Sequence, residues 1–110
     1  MFTLGVDIGS AATKAVILED GERILNQAKV NMGTGTSGIQ KTLDALLTES
    51  GLGFEDFACV IATGYGRKWF EYANKEMSEL SCHARGVSFL VPGVRTVIDI
   101  GGQDAKAIKV

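Results

Sequence analysis

Asp7 and Asp99 are the residues of this chain best placed to do chemistry, because each stands in the same phrase. VDIGSAATKAVIL covers residues 6–18 and IDIGGQDAKAIKV covers residues 98–110. The two share Asp7/Asp99, Ile8/Ile100, Gly9/Gly101, Lys14/Lys106 and Ala15/Ala107. In each copy an acidic residue lies at the end of an apolar run, and a glycine follows where the backbone must pass close to something. Backbone N–H groups in such a turn can form an anion-binding nest. A carboxylate repels phosphate, but it can hold Mg²⁺ or its waters, and the metal then bridges to the phosphate. On this reading Asp7 and Asp99 position Mg²⁺ and water. Gly9, Ser10, Thr13 and Lys14 wrap phosphates from one copy, and Gly101, Gly102, Gln103 and Lys106 from the other. Asp104 is either a second polar ligand or a turn residue. A plain tight hairpin accounts for one copy of the phrase; two copies with the same flanks favour a site. The pattern is neither GxxxxGK[ST] nor GxGxxG opening a helix, so it is not one of the common strand-to-helix phosphate motifs.

The elements around these phrases follow from periodicity. Residues 2–8 alternate as a strand, with Phe2, Leu4, Val6 and Ile8 on one face. Residues 13–19 form a second strand, and Asp20-Gly21 predicts a type I′ hairpin turn. Residues 22–31 form a third strand, polar enough for a sheet edge. Gly33 to Gly38 reads as a flexible loop, and Ser37-Gly38-Ile39-Gln40 as a capping box for a helix carrying Ile39, Leu43, Leu46 and Leu47. Gly51 is its stop. Residues 57–62 are a short apolar strand broken by Thr63-Gly64-Tyr65-Gly66-Arg67. From Trp69 to Leu90 the spacing of Phe70, Ala73, Met77, Leu80, Ala84 and Val87 predicts helix, with Asn74 or Gly86 as interruptions. Residues 95–100 and 104–110 form a last pair of strands. A meander followed by alternating helix and strand predicts an α/β fold with a mixed sheet covered by helices.

Composition bounds the function. A chain of 110 residues with 45% apolar content is one small globular domain. A net charge of −2 supplies no basic field for nucleic acid or anionic lipid. No apolar run reaches the roughly 18 residues of a membrane span. The first residues lack the basic start of a signal peptide, so a cytoplasmic protein is expected. Cys59 and Cys82 make no close-spaced metal pattern and suit a reducing compartment. Val110 closes an apolar run with no turn after it, so a longer protein is expected.

DIGSAATK and DIGGQDAK resemble the two phosphate-binding hairpins of the actin, hexokinase and heat-shock chaperone ATPase superfamily. TGYGR (63–67), ELSCHARG (79–86) and IDIGGQDAK (98–106), in this order, resemble one branch: the activators of 2-hydroxyacyl-CoA dehydratases and benzoyl-CoA reductases. That resemblance implies a ribonuclease-H-like ATPase domain, with residues 1–92 as subdomain I and 93–110 as the first hairpin of subdomain II. It implies ATP or ADP with Mg²⁺ as ligands, a homodimer, and a [4Fe–4S] cluster shared between subunits. In that family ATP hydrolysis drives a low-potential electron into a partner dehydratase or reductase. The family's cluster cysteines lie beyond the second hairpin, so no cluster is expected on Cys59 and Cys82. The resemblance also brings the helix bearing Glu79 to the nucleotide, where Glu79 can orient the attacking water; a surface Glu79–His83 pair is the plainer alternative. Arg67 is left without an assigned target, Cys59 is expected in the core, and Trp69, Phe70 and Tyr72 in packing. Two rival functions remain: a small-molecule kinase of the same superfamily, and a non-catalytic nucleotide-binding assembly module. An unclosed apolar edge predicts a dimer or larger.

Overall fold

Seven residues of alternating burial open the chain. Leu4, Val6 and Ile8 of β1 (Phe2–Ile8) turn to the interior, so every second side chain of the strand is apolar. The computed structural model describes residues 1–100 and 105–109, and only the backbone at Trp69, Asp99, Ile100, Ala105 and Lys106. The expected phosphate ligands Gly101, Gly102 and Gln103, with Asp104, lie outside the described residues.

β2 (Thr13–Glu19) and β3 (Arg23–Val30) complete an antiparallel meander with β1. The turn between them falls on Asp20-Gly21, both at positive φ (55° and 71°), as a type I′ turn requires. α1 (Gly38–Ser50) then crosses β2 and β3 and returns the chain to β4 (Phe57–Thr63), which pairs parallel with β1. β5 (Lys75–Glu76) adds a two-residue parallel edge. The sheet order is β3-β2-β1-β4-β5, so β1, which carries Asp7, is the central strand, and the polar β3 is an edge, as expected. Leu43 and Leu46 of α1 pack on Leu4, Val6, Ile8, Ala15, Ile17, Val60 and Ala62, with Phe70 closing the cluster.

The helix expected from Trp69 to Leu90 is only half present. A 3-10 turn covers Arg67–Trp69, and the helix α2 runs Glu79–Leu90, unbroken by Gly86. Residues 70–78 are not helical, because Asn74 engages the sheet instead. Its Oδ1 accepts the Val60 N–H at 2.7 Å, and its own N–H donates to the Val60 carbonyl at 2.7 Å. That pairing extends the sheet and outcompetes the helical spacing of the apolar residues. Ser78 caps α2 through an Oγ that accepts the Ser81 N–H at 3.2 Å.

The capping box at Ser37 is a second correction. Ser37 has φ −81° and ψ 12°, not the extended backbone of a cap, and its side chain accepts no cap bond. Thr36 takes over: its Oγ1 accepts the Gly38 N–H at 3.1 Å and donates to the Gly33 carbonyl at 2.6 Å. Gln40 bonds Asp44 at 2.8 Å rather than reaching back. The helix ends on Gly51 at φ 74°, as expected.

Compactness divides the chain at Glu76/Met77. The second unit holds α2 and the antiparallel pair β6 (Thr96–Ile100) and β7 (Ala105–Lys109), with Ile108 buried and α2 against β7. The division at 92/93 expected from the repeat therefore falls inside this unit.

The Thr36 cap is open to test. Thr36→Ala should lower the unfolding free energy by about 1 kcal/mol, the usual worth of a helix cap, and Ser37→Ala should leave it within about 0.5 kcal/mol. Urea unfolding followed by circular dichroism reads both.

Candidate functional site at the end of the central strand

The carboxyl ends of β1 and β4 run in parallel and stop together, Asp7 opposite Thr63. Such an end is where open α/β sheets bind ligands. Asp7 faces away from the core, since its neighbours Val6 and Ile8 face into it, and its side chain is 32% exposed. Directly across the hairpin is Lys14, with Nζ 3.6 Å from Asp7 Oδ2. The lysine is more than half exposed, so the pair adds little to stability, about 0–1 kcal/mol. It places a mobile cation beside a fixed carboxylate at the mouth of the turn.

The turn itself, Gly9 to Ala12, is held from behind. Gly9 N–H donates to the Ala12 carbonyl at 3.0 Å. The Gly9 carbonyl accepts both the Thr34 N–H at 2.9 Å and the Thr34 hydroxyl at 3.0 Å. The Ser10 carbonyl lies against Gly33, so closely that a side chain at 33 would overlap it. A planar trans peptide carries its C=O and N–H on opposite sides. Two carbonyls drawn inward therefore turn the N–H groups of Ser10 and Ala11 outward. Both residues are exposed, and among the described residues neither N–H donates within the chain. Outward adjacent amides are the makings of an anion nest. The loop at 33–38, expected to be flexible, is the brace that produces it.

A second loop closes on the same strand end. Gly66 N–H donates to the Ile8 carbonyl at 2.8 Å. Gly64, at φ 91°, brings its backbone against Asp7 Oδ1 and the Ile8 carbonyl, where no side chain fits. Arg67 locks the loop by donating from Nη1 to the Gly64 carbonyl at 2.9 Å, and its Nε lies 3.7 Å from Glu76 Oε1. Arg67, left without a target by the sequence, thus braces the loop behind Asp7. Tyr65, between the two glycines, is exposed.

Thr13 requires correction as a phosphate ligand. It is wholly buried, and its hydroxyl donates to the Met32 carbonyl at 2.9 Å. It sits one residue from Lys14, on the core face of β2, where a hydroxyl must find a backbone acceptor. Gly9, Ser10 and Lys14 remain together at the turn. Sequence reasoning missed Thr34, whose partner Gly9 lies 25 residues away; it marked Thr63 and Gly66 within TGYGR, as a tight turn or a functional loop, and gave neither a role of its own. Cys59 is half-buried in β4 rather than fully in the core. Of the three aromatic residues expected in packing, Phe70 is buried and Tyr72 is exposed but stacks on Phe54 at 4.8 Å between ring centroids.

In the second unit, the repeated phrase pairs in the same register: Asp99 with Lys106 and Ile98 with Ala107, matching Asp7 with Lys14 and Val6 with Ala15. Glu79 and His83 both lie on α2, one turn apart. Among the described residues no cluster of three or more His, Cys, Asp or Glu could cage a metal, and no helix is long and apolar enough to cross a membrane. One partly exposed carboxylate beside a buried Thr63 hydroxyl, unbonded among the described residues, fits a cation held through its waters, the habit of Mg²⁺. Cys59 inside β4 and Cys82 on α2 are free thiols, and among the described residues neither joins a group of side chains that could hold a metal.

A meander, a crossover helix and an Asp-Gly hairpin at the end of the central strand define a ribonuclease-H-like domain of the actin–hexokinase type, here only in part. The chain belongs to the BadF/BadG/BcrA/BcrD ATPase family, whose profile matches residues 4–110. It is 58% identical to the activator of lactoyl-CoA dehydratase from Anaerotignum propionicum, over 99% of this chain and 42% of that protein. Its structure matches that of the activator of 2-hydroxyisocaproyl-CoA dehydratase from Clostridium difficile with bound ADPNP, at a TM-score of 0.96 and 53% identity, over 100% of this chain and 41% of the other. It also matches component A of the (R)-2-hydroxyglutaryl-CoA dehydratase of Acidaminococcus fermentans, at a TM-score of 0.94 and 52% identity, over 100% and 43%. The chain thus spans about two fifths of the length of these relatives.

The bracing of Asp7 can be measured. Gly64→Ala meets both positive φ and an occupied space, whereas Gly21→Ala, at φ 71°, meets open space. Gly21→Ala should cost about 1 kcal/mol, the left-handed penalty alone, and Gly64→Ala at least about 2 kcal/mol more. Thermal melts of the two variants side by side check this.

Proposed function

We propose that this chain is the N-terminal nucleotide-binding part of an ATP-hydrolysing activator. The whole protein would drive low-potential electron transfer from a [4Fe–4S] cluster into a 2-hydroxyacyl-CoA dehydratase or a benzoyl-CoA reductase. The observation that carries the nucleotide reading is the turn after Asp7: two exposed amides aimed outward beside a carboxylate and a lysine. The similarity to an activator structure with bound ADPNP supports it.

Each residue has a role in this reading. Ser10 and Ala11 offer N–H groups to phosphate oxygens, and the Ser10 hydroxyl adds a third donor. Gly9 keeps the backbone close. Lys14 neutralises charge at the turn and tethers Asp7. Asp7 holds the water shell of Mg²⁺; the ion, when bound, screens the phosphates and polarises the terminal one. By the repeat, Asp99, Gly101, Gly102, Gln103 and Lys106 take the same roles in the second hairpin. Glu79, at the first turn of α2, orients the attacking water. The residues at 93–110 begin subdomain II, and the chain works as a homodimer with its dehydratase or reductase partner. Closure on the triphosphate and opening on the diphosphate would be the switch.

Titration calorimetry of the protein with MgATP tests the reading, with Asp7→Asn as the control. Binding should weaken at least tenfold in the variant, about 1.4 kcal/mol, while its melting temperature stays close to wild type. Equal affinity in the two proteins overturns the assignment. Light scattering should give a dimer mass, and a monomer removes the homodimer from the proposal.

A further inference from the structure

Thr63 is the last residue of β4 and the register partner of Asp7. Its hydroxyl oxygen is buried and, among the described residues, has no hydrogen-bond partner. The other bonded threonines show how unusual this is. Thr13, Thr34, Thr36 and Thr42 each place the hydroxyl on a backbone carbonyl. A buried hydroxyl without a partner is disfavoured, and valine would fill the same space with no such loss. Its place explains the choice. Ala62 before it is fully buried in the core, so by the strand's alternation Thr63 faces the same side as Asp7. Immediately after it, the backbone turns at Gly64 and runs against Asp7 Oδ1. Asp7 is therefore flanked by a charged donor, Lys14, across the hairpin and a neutral donor, Thr63, across the parallel pair.

We propose that Thr63 is a positioning residue of the nucleotide site, its hydroxyl bonding the water shell through which Asp7 holds Mg²⁺. A phosphate oxygen is the poorer partner there, because the neighbouring carboxylate repels it. The inference rests on the nucleotide reading of the Asp7 turn and adds a residue to it. A hydroxyl in this role acts on the cation's waters and leaves metal-free nucleotide binding untouched.

The test is ATP binding to the full-length protein at increasing Mg²⁺, by calorimetry, for wild type, Thr63→Val, Thr63→Ser and Asp7→Asn. Thr63→Val should raise the Mg²⁺ concentration for half-maximal binding about five- to tenfold, the worth of one hydrogen bond. Thr63→Ser should titrate like wild type. Binding without Mg²⁺ should be the same in the three proteins that keep Asp7, and the valine variant should melt no lower than wild type. A valine variant that titrates like wild type while Asp7→Asn loses Mg²⁺ dependence overturns this inference alone. A valine variant that melts lower overturns it too, since the hydroxyl then has a partner inside the fold. No Mg²⁺ dependence in wild type overturns the metal reading of Asp7 and this inference with it.

Discussion

Two successive carbonyls at the end of β1 have to be satisfied, and most of the site follows from how. Ile8 and Gly9 leave the sheet at its centre, where water does not reach their inner side, and a buried carbonyl needs a donor. Gly66 supplies one and Thr34 the other, each from a loop that returns to the strand end. Because a peptide's two polar groups point in opposite directions, drawing the Gly9 carbonyl in to Thr34 and the Ser10 carbonyl against Gly33 presents the Ser10 and Ala11 amides on the outside, while Gly66 anchors the Ile8 carbonyl just before them. The anion-binding face of the turn is thus a by-product of closing the interior. Gly33 and Gly64 are required for the same reason: each loop must come near enough for its bond, and a Cβ would hold it away.

Much of the fold was legible because it is local. The meander, its Asp20-Gly21 turn, the helix stop at Gly51 and the second hairpin all depend on residues within a few positions of one another. The repeated phrase was legible for a different reason. The same residues produce the same register, Asp7 against Lys14 and Asp99 against Lys106, so the likeness of sequence is a likeness of pairing. Failures came where a distant partner decided. Asn74 chose Val60 over a helical neighbour. The helix cap failed for a local reason: Thr36 displaced Ser37 because the Gly33 carbonyl, three residues back, was within its reach. The Thr34 bond to Gly9, which shapes the turn, joins segments with no common pattern. Thr13 was misread for want of one fact, the face of β2 it occupies, since Thr13 and Lys14 point to opposite sides of the sheet.

Membership of the ATPase family and the geometry at β1 bear on different questions. The family settles the descent of this stretch across residues 4–110. The geometry says what each motif does physically. DIGSAATK forms the turn and its ion pair, and TGYGR forms the brace whose arginine ties it shut. Neither the brace nor the turn works alone, because the Ile8 and Gly9 carbonyls belong to one continuous stretch of backbone.

The parallel pairing of β1 with β4 also sets the order in which the molecule can assemble. During synthesis the meander can zip up from neighbouring residues as soon as Val30 is made, since short loops close quickly. Its central strand then waits, one edge bare, until α1 and β4 have emerged. Gly66 is made later still, and until it arrives the Ile8 carbonyl has no donor, although Thr34 can already hold the Gly9 carbonyl. A nascent chain that stalls before Gly66 therefore carries the whole DIGSAATK phrase with its turn held from the Thr34 side alone and the Ile8 carbonyl still open.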